Sequence, residues 1–173
     1  QAKLTDISSH LLFFALELNR IDDALMDACV DGDPAAGHYR PWIVDLRKDK
    51  PFQLDDKLEQ LFLKKSMTSA SAFNRLFDET MADLRFDIDG ASLSLEVTLN
   101  MLQEPEPETR KKAAQALSTT FTNNLRVFTL ITNTLAKDKD IPDRWRKFED
   151  IADSRHLANR VEREVVDALA AAV

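Results

Sequence analysis

The sequence predicts a mainly α protein, a multi-helix bundle-like domain with one small β-hairpin near residues 84–95. Three observations carry this. Apolar residues recur at three- and four-residue steps through most of the chain, the period of a helix that buries one face. Only 3 glycines occur in 173 residues, too few for the many tight turns of an all-β design. One stretch, "LRFDIDGASLSLE", alternates apolar and polar residues on both sides of Asp89-Gly90, the strongest short signal for a hairpin.

The first segment, Leu4 to Val30, reads as a single helix. Ile7, Leu11, Phe14, Leu18, Ile21 and Leu25 fall on one stripe, and Leu12 and Leu16 add a second. A stripe that wide belongs to a helix buried on more than one side, which favours a core helix over a coiled-coil dimer. Phe14 is therefore expected in the core. "DGDPAAGHYRPW" breaks the segment, with Asp33-Pro34 starting a short turn. Pro41 suits the first turn of a helix through "WIVDLRK", and Pro51 ends it, because a residue before proline is pushed out of the α region. Asp55 is placed to cap "DKLEQLFLKK", and Ser69 or Ser71 to cap "AFNRLFDETMAD".

In the hairpin, Leu84, Phe86 and Ile88 share one face and Leu93 and Leu95 continue it. Ser94 then caps "EVTLNMLQ". A helix from Thr109 to Lys137, about 40 Å long, follows Pro107, with Ala114, Leu117, Phe121, Leu125, Phe128 and Leu135 on its stripe. Its middle is rich in Thr and Asn, poor helix formers, so tertiary packing has to hold it. Ile141-Pro142 closes it, and a loop through "DRWRKFEDIADSRHL" leads to a last helix with Val165, Val166, Leu169 and Val173 on one side. That helix ends apolar and uncapped, where Gly, Asn or a basic last turn is usual. Residues 1–173 thus read as one helical domain cut at both ends.

Composition excludes several function classes. The net charge is −7 and the pI about 5.0, the wrong sign for a nucleic-acid binder. No apolar run approaches the ~20 residues that cross a bilayer, so no membrane partner is expected. A single cysteine, Cys29, makes no internal disulfide and suits a reducing compartment, the cytoplasm. With so few glycines, no G-x-G-x-x-G or Walker A loop can be assembled.

Catalytic motifs fail on inspection. His10, His38 and His156 are far apart and none is at the i, i+4 spacing of an H-E-x-x-H helix. Cys29, on a largely apolar helix, reads as a small core residue. Counted from Arg85, Asp87, Asp89, Gly90 and Glu96 take positions of a calcium-binding EF-hand loop, but the first ligand would be a cation, so the hairpin stands. The expectation is that no residue is catalytic, cofactor-binding or a metal ligand.

Six stretches in order carry a resemblance. "FFALELNRIDDAL", "HYRPWIVDLRKDKPFQL", "AFNRLFDETMADLRF", "ETRKKAAQAL", "LITNTLAKDKD" and "SRHLANRVEREVVDAL" resemble the N-terminal domain of oligoendopeptidase F-like zinc metallopeptidases, in the thimet-oligopeptidase superfamily. The resemblance covers essentially the whole chain. It implies a non-catalytic helical domain that walls a channel and admits short, unfolded peptides. It also implies zinc, held by an H-E-x-x-H motif and a downstream glutamate, in a C-terminal catalytic domain with no counterpart here. The implied partners are that catalytic domain and oligopeptide substrates, and the chain alone is expected to be inactive and to form a homodimer. The alternative from another class is a stand-alone acidic helical interaction module.

Overall fold

Asp22 ends what the apolar spacing reads as one helix. In the computed structural model, which describes residues 2–173, α1 (Ala2–Arg20) and α2 (Asp23–Gly32) are separate. The Asp22 carboxylate accepts hydrogen bonds from the main-chain nitrogens of Ala24 and Leu25 at 3.0 and 3.2 Å. A new N-cap there satisfies orphan donors that a continuous helix would have paired internally, so the cap wins locally. The same device starts α3 (Pro34–His38), where Asp33 accepts from the nitrogen of Ala35. Pro41 occupies the first turn of α4 (Arg40–Arg47). That helix stops before Pro51, which lies in a short 3₁₀ turn, Lys50–Phe52. Asp55 caps α5 (Asp56–Lys65) as expected.

Two compact units follow from the contacts: one runs through Met67 and resumes at Lys139–Val173, and the other is Thr68–Asp138. The second begins with α6 (Ala70–Asp83) and the hairpin, β1 (Phe86–Ile88) and β2 (Ala91–Leu93). The strands are antiparallel, with Phe86 opposite Leu93, Asp87 opposite Ser92 and Ile88 opposite Ala91. Asp89 and Gly90 both adopt positive φ, 55° and 82°, the conformation of a two-residue turn that matches strand twist. Ser94 caps α7 (Leu95–Asn100), as its sequence foretells. Leu84, Phe86 and Leu117 form the buried cluster here, with Met81, Leu95, Phe121 and Phe128 packed against it.

The expected single helix over 109–137 is instead two, α8 (Pro107–Asn123) and α9 (Leu125–Trp145). Asn124 leaves helical geometry at φ −103°, ψ 6°, and its side-chain amide donates to the carbonyl of Thr120 at 2.9 Å. That local bond competes with the helical ladder in the Thr- and Asn-rich stretch. The break turns the stripe. Beyond the break Leu125 is exposed and Ile131 is the buried residue of α9, while within α8 itself the buried face holds Ala113 rather than Ala114. Pro142 does not close α9 but lies inside it, three residues before the end.

Within the first unit, the remainder of α9 is followed by α10 (Asp153–Asn159) and α11 (Arg163–Ala172). A helix thus stands where the sequence suggests a loop. Its start is set by an Asp pair: Asp153 accepts from the nitrogen of Asp150, and Asp150 from that of Ala152.

The core face of α1 is the second stripe, not the first. Leu16 is buried and Leu12 half-buried where α1 meets α5 and α4. Ile7, Leu11 and Leu25 are exposed, and Phe14 is 54% exposed, its ring stacked on Trp42 at 6.3 Å. Both stripes are apolar, so periodicity cannot choose between them; the neighbours cover only one. Cys29 is likewise exposed, not in the core. Among the described residues, no helix is long and apolar enough to cross a membrane.

Candidate functional site

One concave feature of the first unit is a cavity of about 460 Å3, walled by α1, α4, the Phe52–Gln53 turn, α5, the end of α9 and α10. Leu12, Leu16, Leu46, Phe52, Phe148 and Leu157 make it mostly apolar. Phe52 and Phe148 stack at 4.1 Å, which fixes one side of the wall. Asn19, Gln53 and a set of charged groups interrupt that lining.

Those charges are paired. Arg146 donates from Nη1 and Nη2 to the two oxygens of Glu59 at 2.6 and 2.7 Å, and from Nη1 to the carbonyl of Phe52 at 3.0 Å. Glu59 also accepts from the nitrogen of Leu54 at 2.9 Å. Burial pushes the Glu59 carboxyl up, but these bonds and the guanidinium charge outweigh it and hold it below the ordinary value. Arg160, in left-handed backbone after α10, donates to Asp49 through both terminal nitrogens at 3.0 and 2.9 Å and to Asp45 through Nε at 3.0 Å. Both forks fix the C-terminal part of the unit against its N-terminal part, work that suits the rigid geometry of Arg.

One cluster has the composition of a nucleophile site. Lys139 Nζ lies 2.8 Å from Ser154 Oγ, which donates to Asp143 at 3.0 Å. Lys139 also donates to the carbonyl of Ile151 at 2.6 Å and to Asp143. Its three protons therefore serve three acceptors, the pattern of an ammonium, which has no lone pair to take a proton from serine. The cluster ties α9 to α10. Sequence shows only the Lys139–Asp143 helical pair.

The structure does not gather the residues weighed in the sequence. His10 and His38 are exposed on α1 and α3, and His156 is half-buried on α10. Among the described residues, no group of three or more His, Cys, Asp or Glu side chains could hold a metal ion. Asp87 and Asp89 belong to the hairpin turn: Asp87 accepts from the nitrogen of Gly90 at 3.1 Å, and Asp89 pairs with Lys112 at 2.7 Å. Arg85 donates to the carbonyls of Ala82 and Leu84. The cavity itself went unforeseen, because it is assembled from segments over a hundred positions apart.

Residues 17–86, from the second half of α1 to β1, match the peptidase M3 N-terminal family model described as Oligopeptidase F. The crystal structure of oligoendopeptidase-F from Enterococcus faecium has the same fold over 95% of this chain, with a TM-score of 0.83 and 18% sequence identity. This chain spans about a third, 34%, of the length of that protein. No curated protein matches the sequence.

Proposed function

We propose, for a chain that carries an N-terminal domain of the oligopeptidase F type, that it walls the substrate channel of a larger cytoplasmic oligoendopeptidase that hydrolyses short peptides. The observation that carries this reading is the shared fold along nearly the whole chain with one third of an oligoendopeptidase. It favours a domain of a peptidase over a stand-alone acidic module.

The reading assigns zinc to the C-terminal catalytic domain of the parent protein. The residues here do not fit a zinc ion: His10 and His38 stand exposed on separate helices, and no described cluster supplies ligands. No catalytic step is therefore drawn through this chain. Its share of the function is shape, set by rigid Arg–carboxylate forks and by apolar faces for the catalytic domain to cover. Leu4, Ile7 and Leu11 on α1 and Val165 and Leu169 on α11 are such faces.

The parent reading frame tests the proposal. It should continue into a helix bearing H-E-x-x-H, and the parent should bind one zinc and cleave short peptides. The purified chain should do neither. A frame without that motif would leave the interaction module, and one equivalent of zinc on the chain alone would contradict the assignment.

A further inference from the structure

In the second unit, aromatic rings run in series from the core to the surface. Phe86, fully buried, meets Phe121 edge-on at 5.7 Å, Phe121 meets Phe128 at 6.0 Å, and Phe128 meets Phe77 at 6.0 Å. The series ends in solvent, with Phe77 42% exposed. Phe77, Phe121 and Phe128 line a groove of about 430 Å3 together with Met81 and Leu125. Phe77 and Met81 stand one helical turn apart on α6, and the α8–α9 corner supplies the rest. Leu125, the first residue after the Asn124 break, is 60% exposed.

The lining decides what fits. The seven residues that form the groove include no charged side chain, so a charged group entering it would lose hydration and find no partner. A second copy of the chain is a poor match in size, because a specific interface takes roughly 20–30 residues a side. A volume of this order instead suits a small ligand or a large side chain. The rings already meet edge to face, and one more ring extends that array; the Met81 thioether also favours an aromatic neighbour. The two remaining residues, Thr122 and Thr132, are both exposed. A hydroxyl both donates and accepts, so this pair suits the carbonyl and N–H groups of a main chain that accompanies the ring.

We propose that this groove holds an aromatic side chain of a short peptide, with the peptide main chain against Thr122 and Thr132. Binding uses residues of this chain alone; that the peptide is a substrate rests on the peptidase reading.

Acetyl-Ala-Phe-Ala-amide, acetyl-Ala-Ala-Ala-amide and benzyl alcohol separate the ring from the main chain. Titrated into the 173-residue protein and followed by amide NMR, the Phe peptide should give saturable shifts at groove residues, with a dissociation constant on the order of 1 mM. The Ala peptide and benzyl alcohol should each bind about tenfold more weakly. Replacing both hydroxyls, by Thr122→Val with Thr132→Val, keeps the shape and should bring the Phe peptide down to the level of benzyl alcohol. Phe77→Ala should weaken the Phe peptide by a similar factor; Leu125→Ala serves the same purpose if that variant fails to fold. Equal binding of the two peptides would overturn the proposal. Benzyl alcohol as tight as the Phe peptide would overturn it in favour of a small-molecule site, and groove shifts on diluting the protein alone would assign the groove to a second copy. No saturable shift at about tenfold excess over that constant would overturn it too, leaving a face for the rest of the parent chain. A reading frame without H-E-x-x-H changes none of these outcomes, so the two proposals fail separately.

Discussion

Arg146 and Glu59 are 87 positions apart in sequence and joined by two nearly parallel hydrogen bonds of 2.6 and 2.7 Å. The Glu59 side chain is only 11% exposed. Removing one partner would leave the other buried and uncompensated. Glu59→Ala should therefore cost about 3–5 kcal/mol, read as a fall in the urea midpoint.

The same pair sets a pH dependence. The folded Glu59 carboxyl sits below its unfolded value, so its stabilisation is complete above about pH 4.3 and is lost as pH falls through the folded value. Asp23 and Asp153 are lowered too, by Arg47 and Arg163 respectively, so acid loss is shared. The difference between wild type and Glu59→Gln isolates one contributor. The gap in unfolding midpoint should be widest near neutral pH and narrow toward pH 3. A gap that is constant with pH would show that Glu59 is not ionised in the folded protein.

Phenylalanines on the two units should respond to very different extents. Phe86 is fully buried, touching Phe121 edge-on at 5.7 Å, and Phe86→Ala should cost about 3–5 kcal/mol. Phe14→Ala removes an exposed ring stacked on Trp42 and should cost under about 1 kcal/mol. Chemical denaturation of the two variants side by side measures both.

Gly90 at φ 82° occupies backbone that a side chain adopts only with strain. No heavy atom stands within 4 Å of a built Cβ, so Gly90→Ala should cost about 1 kcal/mol through the backbone alone. A loss several times larger would mean a packing role that the turn does not display.

The exposed apolar faces of α1 and α11 should make the isolated chain self-associate. Apolar area of this kind is worth re-burying, though association entropy offsets much of the gain. Light scattering over a concentration series should show a two-fold dimer with a dissociation constant on the order of micromolar. A strict monomer at ~100 μM would contradict this.

What was legible in the sequence was local. Asp33, Asp55 and Ser94 cap their helices because the bond runs only two or three residues along the chain. Asp89-Gly90 makes its turn for the same reason, and Pro41 its first helical turn. The misses share another cause. Asp22 and Asn124 each offer a side-chain bond that cuts a helix which periodicity extends, and a hydrophobic pattern is blind to that competition. Which stripe of α1 is buried depends on where α5 and α4 lie, and no spacing records that. The Arg146–Glu59 and Arg160–Asp49 forks, and the Asn19–Gln53 cavity they border, arise only when distant segments meet.

The hairpin turn has a chemical consequence over time. Asp-Gly is a pair prone to succinimide formation, in which the glycine nitrogen attacks the aspartate side chain and the backbone re-forms through the β-carbon. Here both reacting groups are occupied: the Gly90 nitrogen donates to Asp87, and the Asp89 carboxylate accepts from Lys112. The pairs that shape the turn therefore also slow its ageing. Cutting the Lys112 contact would shorten the shelf life of the backbone well before it altered the fold.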